Sequence, residues 1–160
     1  MRTIDGTPPA RGLRVAVVVS KYHDFITDRL QAGSLAALDA AGVTREHVTV
    51  VRVPGSFELP TAAQHAAASG QFDAVVCLGC LIKGETPHME FIASAVAHGL
   101  TSAAAQTGVP MAFGVLTTNS VEEALARAGD GPDNKGWEAA SAAVELATVV
   151  AQLKKAVSVP

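Results

Sequence analysis

A chain of 160 residues suits one domain with one core, and because 49% of it is apolar but only 4% aromatic, that core must be built largely from Ala, Val and Leu. A net charge of -3, a pI near 5.9 and the lack of any basic cluster argue against nucleic acid as a partner. A mean hydropathy of +0.29 in so short a chain leaves more small apolar surface than one domain hides, which predicts helix faces packed against other subunits.

Residues 1–12 are polar and carry Pro8 and Pro9, without the layout of a signal peptide, and no apolar run approaches the roughly 18 residues of a membrane span. This arm reads as a tail or as a strand lent to a neighbour, ahead of a single α/β domain over residues 13–160. Leu13 to Val19 is a β-branched apolar run, the mark of a strand covered on both faces. Asp24 is placed to cap a helix carrying Ile26, Leu30, Gly33, Ala37 and Ala41 at helical spacing, stopped by Gly42. Val48 to Val53 is a second strand, and the loop Pro54 to Pro60 opens a helix through Ala68 that Gly70 ends.

Ala74 to Leu78 is a third strand. A glycine-punctuated turn follows it, and an alanine-rich helix then runs to about Thr107, with Thr86 as N-cap and Pro87 at the first helical position. Met111 to Leu116 is a fourth strand, broken by Gly114. Ser120 and Glu123 then have capping-box spacing for a helix that stops at Gly129. The last helix, about Lys135 to Lys155, carries Trp137, Ala140, Val144, Ala147 and Ala151 on one stripe, with Val149, Val150 and Leu153 suggesting a second packed face. Strands alternating with helices predict a parallel sheet covered on both sides.

In such sheets ligands sit beyond the carboxyl ends of the strands, where this chain gathers Tyr22-His23, Ser56-Phe57-Glu58, Cys80 to His88 and Phe113 to Asn119. The start of the third helix offers unpaired N–H donors and a positive dipole end to an anion. The same field disfavours positive charge on His88 in the first turn, leaving that imidazole able to accept a proton. Tyr22 fits either a stacking platform for a flat heterocycle or a rim aromatic shielding the core. Glu58 fits either an acceptor for a polyol or a carboxylate in a helix first turn. Arg127 lies about seven residues beyond Ser120, roughly 10 Å along a helix from its own strand mouth. It therefore serves a neighbouring subunit's anion or neutralises its own helix end. Lys135 stands against the dipole of the helix it opens, and Lys83 adds charge near the turn or is simply solvated. Cys77 and Cys80, at odd spacing, point to opposite faces, which predicts reduced thiols in a cytoplasmic setting and no nucleophile. The five histidines form no metal-ligand pattern.

Val-Pro-Gly-Ser-Phe-Glu-Leu-Pro (53–60), Lys-Gly-Glu-Thr-Pro-His (83–88), Phe-Gly-Val-Leu-Thr-Thr-Asn (113–119), Ala-Arg-Ala-Gly (126–129) and Asn-Lys-Gly (134–136) together resemble the lumazine synthase family over about Leu13 to Leu153. The resemblance implies a flavodoxin-like three-layer domain, no metal or organic cofactor, and condensation of 5-amino-6-ribitylaminouracil with 3,4-dihydroxy-2-butanone 4-phosphate in riboflavin synthesis. It implies that Tyr22, Ser56, Phe57 and Glu58 hold the pyrimidine and ribityl chain, that Cys80, Leu81 and Ile82 line the ring pocket, and that His88 shuttles protons. Lys83, Gly84, Glu85 and Thr86 would hold phosphate together with Arg127 of the adjacent subunit, whose Phe113 would close the ring pocket and whose Lys135 would lie near the ligands. It implies homo-pentamers, some assembled into 60-subunit shells, and association with riboflavin synthase. The short loop from Asp130 to Asp133 lacks the insertion that the resemblance links with pentamer-only members, which favours the shell, while Pro8 and Pro9 in the arm leave pentamer and shell both open. Tyr22 and His23 depart from a commoner Phe-Asn, Lys83 from a commoner Arg, and Met89-Glu90-Phe91 from an aromatic-Asp-Tyr. Two other classes fit less well. A non-catalytic flavin- or phosphate-binding module leaves His88 and Arg127 without a reason, and a receiver domain needs acidic residues where Ser20-Lys21-Tyr22 stand.

Overall fold

In a computed structural model, which describes residues 1–8 and 10–157, four strands form one parallel sheet in the order β2-β1-β3-β4. They are β1 (Val15–Ser20), β2 (Val48–Val53), β3 (Ala74–Ile82) and β4 (Met111–Thr118). The helices are α1 (Asp24–Ala40), α2 (Leu59–Ala68), α3 (His88–Thr107), α4 (Val121–Arg127) and α5 (Lys135–Val157). Pro9 of the proline pair lies outside the described residues.

The pleat sorts the apolar side chains into two cores. Val15, Val17, Val19, Val76 and Leu78 face α1 and α5, while Ala16, Val18, Val75, Cys77 and Val115 face α2 and α3. This is the three-layer α/β/α arrangement of flavodoxin-like domains. Cys77 and Cys80 fall in different cores, as their odd spacing requires. Burial raises their thiols to about 12 and about 11, so both are unreactive.

The structure corrects several sequence expectations. β3 does not end at Leu78: Gly79, Cys80, Leu81 and Ile82 continue in register against Val115, Leu116, Thr117 and Thr118. Gly79 is there for clearance, not for a turn, because a Cβ at that point would stand 2.5 Å from the Ser56 hydroxyl and 3.2 Å from Leu59. Gly114 likewise leaves β4 unbroken; it admits α5, since a Cβ there would meet Leu78 and Ala139 at 2.6 and 3.0 Å. Pro87, not Thr86, takes the N-cap position of α3, with no side-chain cap bond, and His88 becomes its first residue. On α5 the buried stripe ends at Ala147, and Ala151 is exposed.

Asp24 is not the cap of α1. His23 takes that position in the left-handed region, at φ 58°, ψ 48°. Such a conformation costs a non-glycine residue on the order of 1–3 kcal/mol, whereas each fully buried Val of β1 contributes about 1.5–3 kcal/mol. Burial of the strand therefore outweighs the strain of the turn that leaves it. Gly42 and Gly70, at φ 86° and 70°, supply the expected stops after α1 and α2. Before α4 the box closes one residue early: the Ser120 hydroxyl accepts from the Glu123 N–H at 3.2 Å, while the Glu123 carboxylate accepts from Asn119, not Ser120, at 2.9 Å.

The described part of the arm forms no strand. It crosses its own α5, where the Gln152 side chain donates to the Asp5 carbonyl at 2.7 Å, and it is anchored by buried Ala10, whose N–H donates to the Ala41 carbonyl at 2.8 Å.

Candidate functional site

The connection from β1 crosses to β2 on one side and that from β2 returns to β3 on the other, so the loops after β1 and β3 part and leave a crevice at the carboxyl ends. The loop after β1 is tied to the one after β2, because Lys21 N–H donates to the Val53 carbonyl at 2.8 Å and Tyr22 N–H to the Pro54 carbonyl at 3.1 Å. Tyr22 is thereby held outward, 68% exposed, with its ring 4.5 Å from that of His23 in an edge-on contact. Burial lowers the pKa of His23 below its ordinary value and keeps it neutral.

After β2 the chain makes a short 3₁₀ turn, Ser56–Glu58, before α2. Ser56 is buried against the notch left by Gly79; Phe57 is 62% exposed and Glu58 is exposed at the N-cap of α2. Beyond these, the strand end delivers Cys80 into the core under α1 and α5, Leu81 into the core under α2 and α3, and a half-buried Ile82. A final bond from Lys83 N–H to the Thr118 carbonyl, 2.8 Å, closes the sheet. Gly84, Glu85, Thr86 and His88 then stand exposed at the start of α3, whose first amides lack intrahelical acceptors. Tyr22, Ser56, Phe57, Glu58 and the 83–88 turn thus all sit at one mouth.

Phe113, Arg127 and Lys135 lie elsewhere. They line a groove of about 550 Å³ along the open edge of β4, together with Thr117, Glu138 and Ala139. None of the lining residues comes from the 20–24, 54–58 or 83–88 loops. Arg127 donates to the Glu123 carbonyl at 3.0 Å, one turn back on its own helix, and this bond leaves the rest of its guanidinium fork unused. Lys135 is held by Glu138 at 2.7 and 2.9 Å, one turn along α5, which answers its unfavourable place at a helix start.

Sequence reading quoted Asn134 only within a motif. In the structure it is buried, and its side-chain oxygen accepts from the Gly136 N–H at 2.7 Å; an Asn directly before a helical pattern is the capping signal that marks it. Ser20, whose buried hydroxyl has no partner and lies beside the Gly79 notch, carried no sequence signal. Among the described residues no three His, Cys, Asp or Glu side chains are grouped to hold a metal, and no helix is long and apolar enough to cross a membrane.

Comparison with known proteins places the chain in a family. The family model described as 6,7-dimethyl-8-ribityllumazine synthase matches residues 12–151. A protein of that name from Nitratidesulfovibrio vulgaris (strain DP4) is 44% identical over 153 residues, 96% of this chain and 98% of the relative. Its namesakes from Syntrophus aciditrophicus (strain SB) and Desulfatibacillum aliphaticivorans are 45% and 41% identical, covering 93% and 96% of this chain and 97% and 99% of their own.

Proposed function

The chain belongs to the 6,7-dimethyl-8-ribityllumazine synthase family, transferases of riboflavin biosynthesis, and we propose that it condenses 5-amino-6-ribitylaminouracil with 3,4-dihydroxy-2-butanone 4-phosphate at sites shared between adjacent subunits. The family match over residues 12–151 carries the reaction. The separation of Phe113, Arg127 and Lys135 from the mouth carries the sharing, since one chain alone leaves each group half equipped.

At the mouth, Tyr22 stacks on the pyrimidine, the Ser56-Phe57 backbone holds the ring edge, and Glu58 accepts from the ribityl hydroxyls. Cys80 to Ile82 form the wall behind the ring; the inert thiol of Cys80 gives it a packing role. Gly84, Glu85 and Thr86 present amide donors to the phosphate, Lys83 adds a positive charge, and Arg127 of the adjacent copy closes on it with the fork that suits a phosphate. Phe113 of that copy covers the ring, and Lys135 lies beside the ligands. The amine condenses with the ketone to an imine, with loss of water. His88 then takes a proton from the imine adduct as phosphate leaves toward the helix start, and the ribitylamino nitrogen closes the ring with loss of water. Holding two substrates together supplies much of the rate, since proximity is worth roughly 7–11 kcal/mol.

Assembly follows the same logic. A homo-pentamer closes such head-to-tail contacts, and the short Asp130–Asp133 loop favours further assembly into a 60-subunit shell, the setting in which association with riboflavin synthase arises. The outer edge of β2 is open and flanked by a groove of about 560 Å³ lined by Ala32, Leu35, Val43, Val48 and Val50, a seat for the arm of an adjacent copy as an added strand once that arm leaves the contact it makes with its own α5. Purified protein given both substrates develops the absorbance and fluorescence of the lumazine. No product above the uncatalysed background would overturn the reading.

A further inference from the structure

Asn134 sits between the two cations that this chain lends, directly before Lys135 and five residues after Gly129, which itself follows Arg127 by two. Its side chain is buried, with 2% of the residue exposed, and all four of its hydrogen-bonding positions are filled. The amide nitrogen donates to the Gly129 carbonyl at 2.7 Å and, across the α1–α5 contact, to the Arg29 carbonyl at 3.1 Å. The oxygen accepts from Gly136 N–H at 2.7 Å and Trp137 N–H at 3.3 Å, capping α5. One amide therefore joins the end of α4, the start of α5 and the middle of α1.

The surroundings are shaped to admit it. A Cβ on Gly33 would run into the Asn134 side chain, and one on Gly136 would run into the Leu30 backbone, so α1 and α5 close around this group only because both positions are glycine. Residues 130–133, the connection that would otherwise decide where Arg127 lies relative to Lys135, are all exposed. A helix cap alone needs only the oxygen. The two donations to Gly129 and Arg29 add nothing to the cap; they fix the loop that follows Arg127 onto α1.

We propose that Asn134 is a positioning residue for phosphate recognition in trans: it sets the spacing of Arg127 and Lys135 as they enter the adjacent subunit's site. This rests on the shared-site reading above. Asn134→Asp keeps the shape and both accepting contacts and removes the donations, and Asn134→Ser keeps a capping oxygen without the bridge. The expected result for either is a rise of about tenfold in KM for the phosphate ester, the effect of weakening one charged hydrogen bond, with KM for the pyrimidine unchanged. Each variant mixed with His88→Ala subunits regains activity, and mixed with Arg127→Ala subunits does not. A fall in kcat with both KM values unmoved, or failure of both variants to assemble, means that Asn134 is only a structural cap and overturns the proposal. Rescue of Arg127→Ala by His88→Ala without rescue of the Asn134 variants defeats this proposal alone. Failure of that control pair defeats the shared site and this proposal with it.

Discussion

His88 is the first residue of α3 and is exposed, so its imidazole is open to the solvent of the mouth and does not support the core. Its replacement by Ala is therefore expected to slow single-turnover product formation by about 10²–10⁴, the usual worth of a positioned acid–base group, while native mass spectrometry finds the assembly unchanged. An unaltered single-turnover rate would remove His88 from the proton transfer. The kinds of residue needed here were legible from sequence: an aromatic after β1, a Ser-Phe-Glu turn after β2, a histidine at a helix start. The reasons for Gly79 and Asn134 were not, because they depend on which atoms approach from distant segments. Gly79 is read as a turn glycine until Ser56 is seen against it, and no local pattern links Asn134 to Arg29.

At the scale of elements, periodicity and β-branched runs set strand and helix identity well, and the errors fell at ends. β3 and β4 each run past the end expected from their apolar runs because each supplies hydrogen-bond partners for the other as far as Ile82 and Thr118, a tertiary effect that local sequence does not carry. Two contacts between elements give tests. Gly136 lets α5 cross α1 at close range, so Gly136→Ala should cost about 1–3 kcal/mol by overpacking and lower the melting temperature by several degrees; an unchanged melt would contradict the crossing as described. Arg14, at the start of β1, grips Asp73, before β3, through its own backbone N–H at 2.9 Å and its guanidinium at 3.1 and 3.3 Å. Burial pushes the Asp73 carboxyl up, but the bonds from Arg14 outweigh it and leave the pKa below its ordinary 3.8. The unfolded chain then binds this proton more readily, so the contribution is present above about pH 3.8 and is lost as pH falls through the lowered value. Denaturant titrations at pH 5 and pH 3 should find the stability gap between wild type and Asp73→Asn shrinking at the lower pH. An equal gap at both would contradict this pairing.

For the whole molecule, the distribution of aromatics is the telling feature. The chain has five Phe, one Tyr and one Trp, and Tyr22, Phe25, Phe57, Phe91 and Phe113 are all exposed. Five exposed aromatics in a domain that builds its core from Ala, Val and Leu are the kind of surface that the shared-site proposal assigns to ligands and neighbouring copies. Both sheet edges, β2 and β4, are also open. The sequence hinted at this through the distance of Arg127 from its own strand mouth; only the fold shows that Phe113 and Lys135 share Arg127's groove, at the β4 edge and apart from the mouth.

The central claim, that each working site joins the mouth of one subunit to the β4-edge groove of the next, is tested most directly by mixing two inactive variants. His88→Ala damages only the mouth and Arg127→Ala only the groove, so subunits unfolded together and reassembled should form intact sites at roughly one boundary in four by random pairing around a closed ring. Lumazine formation should return to about that fraction of the wild-type rate. Mixed assemblies, verified by mass, that stay as inactive as either parent would contradict the account.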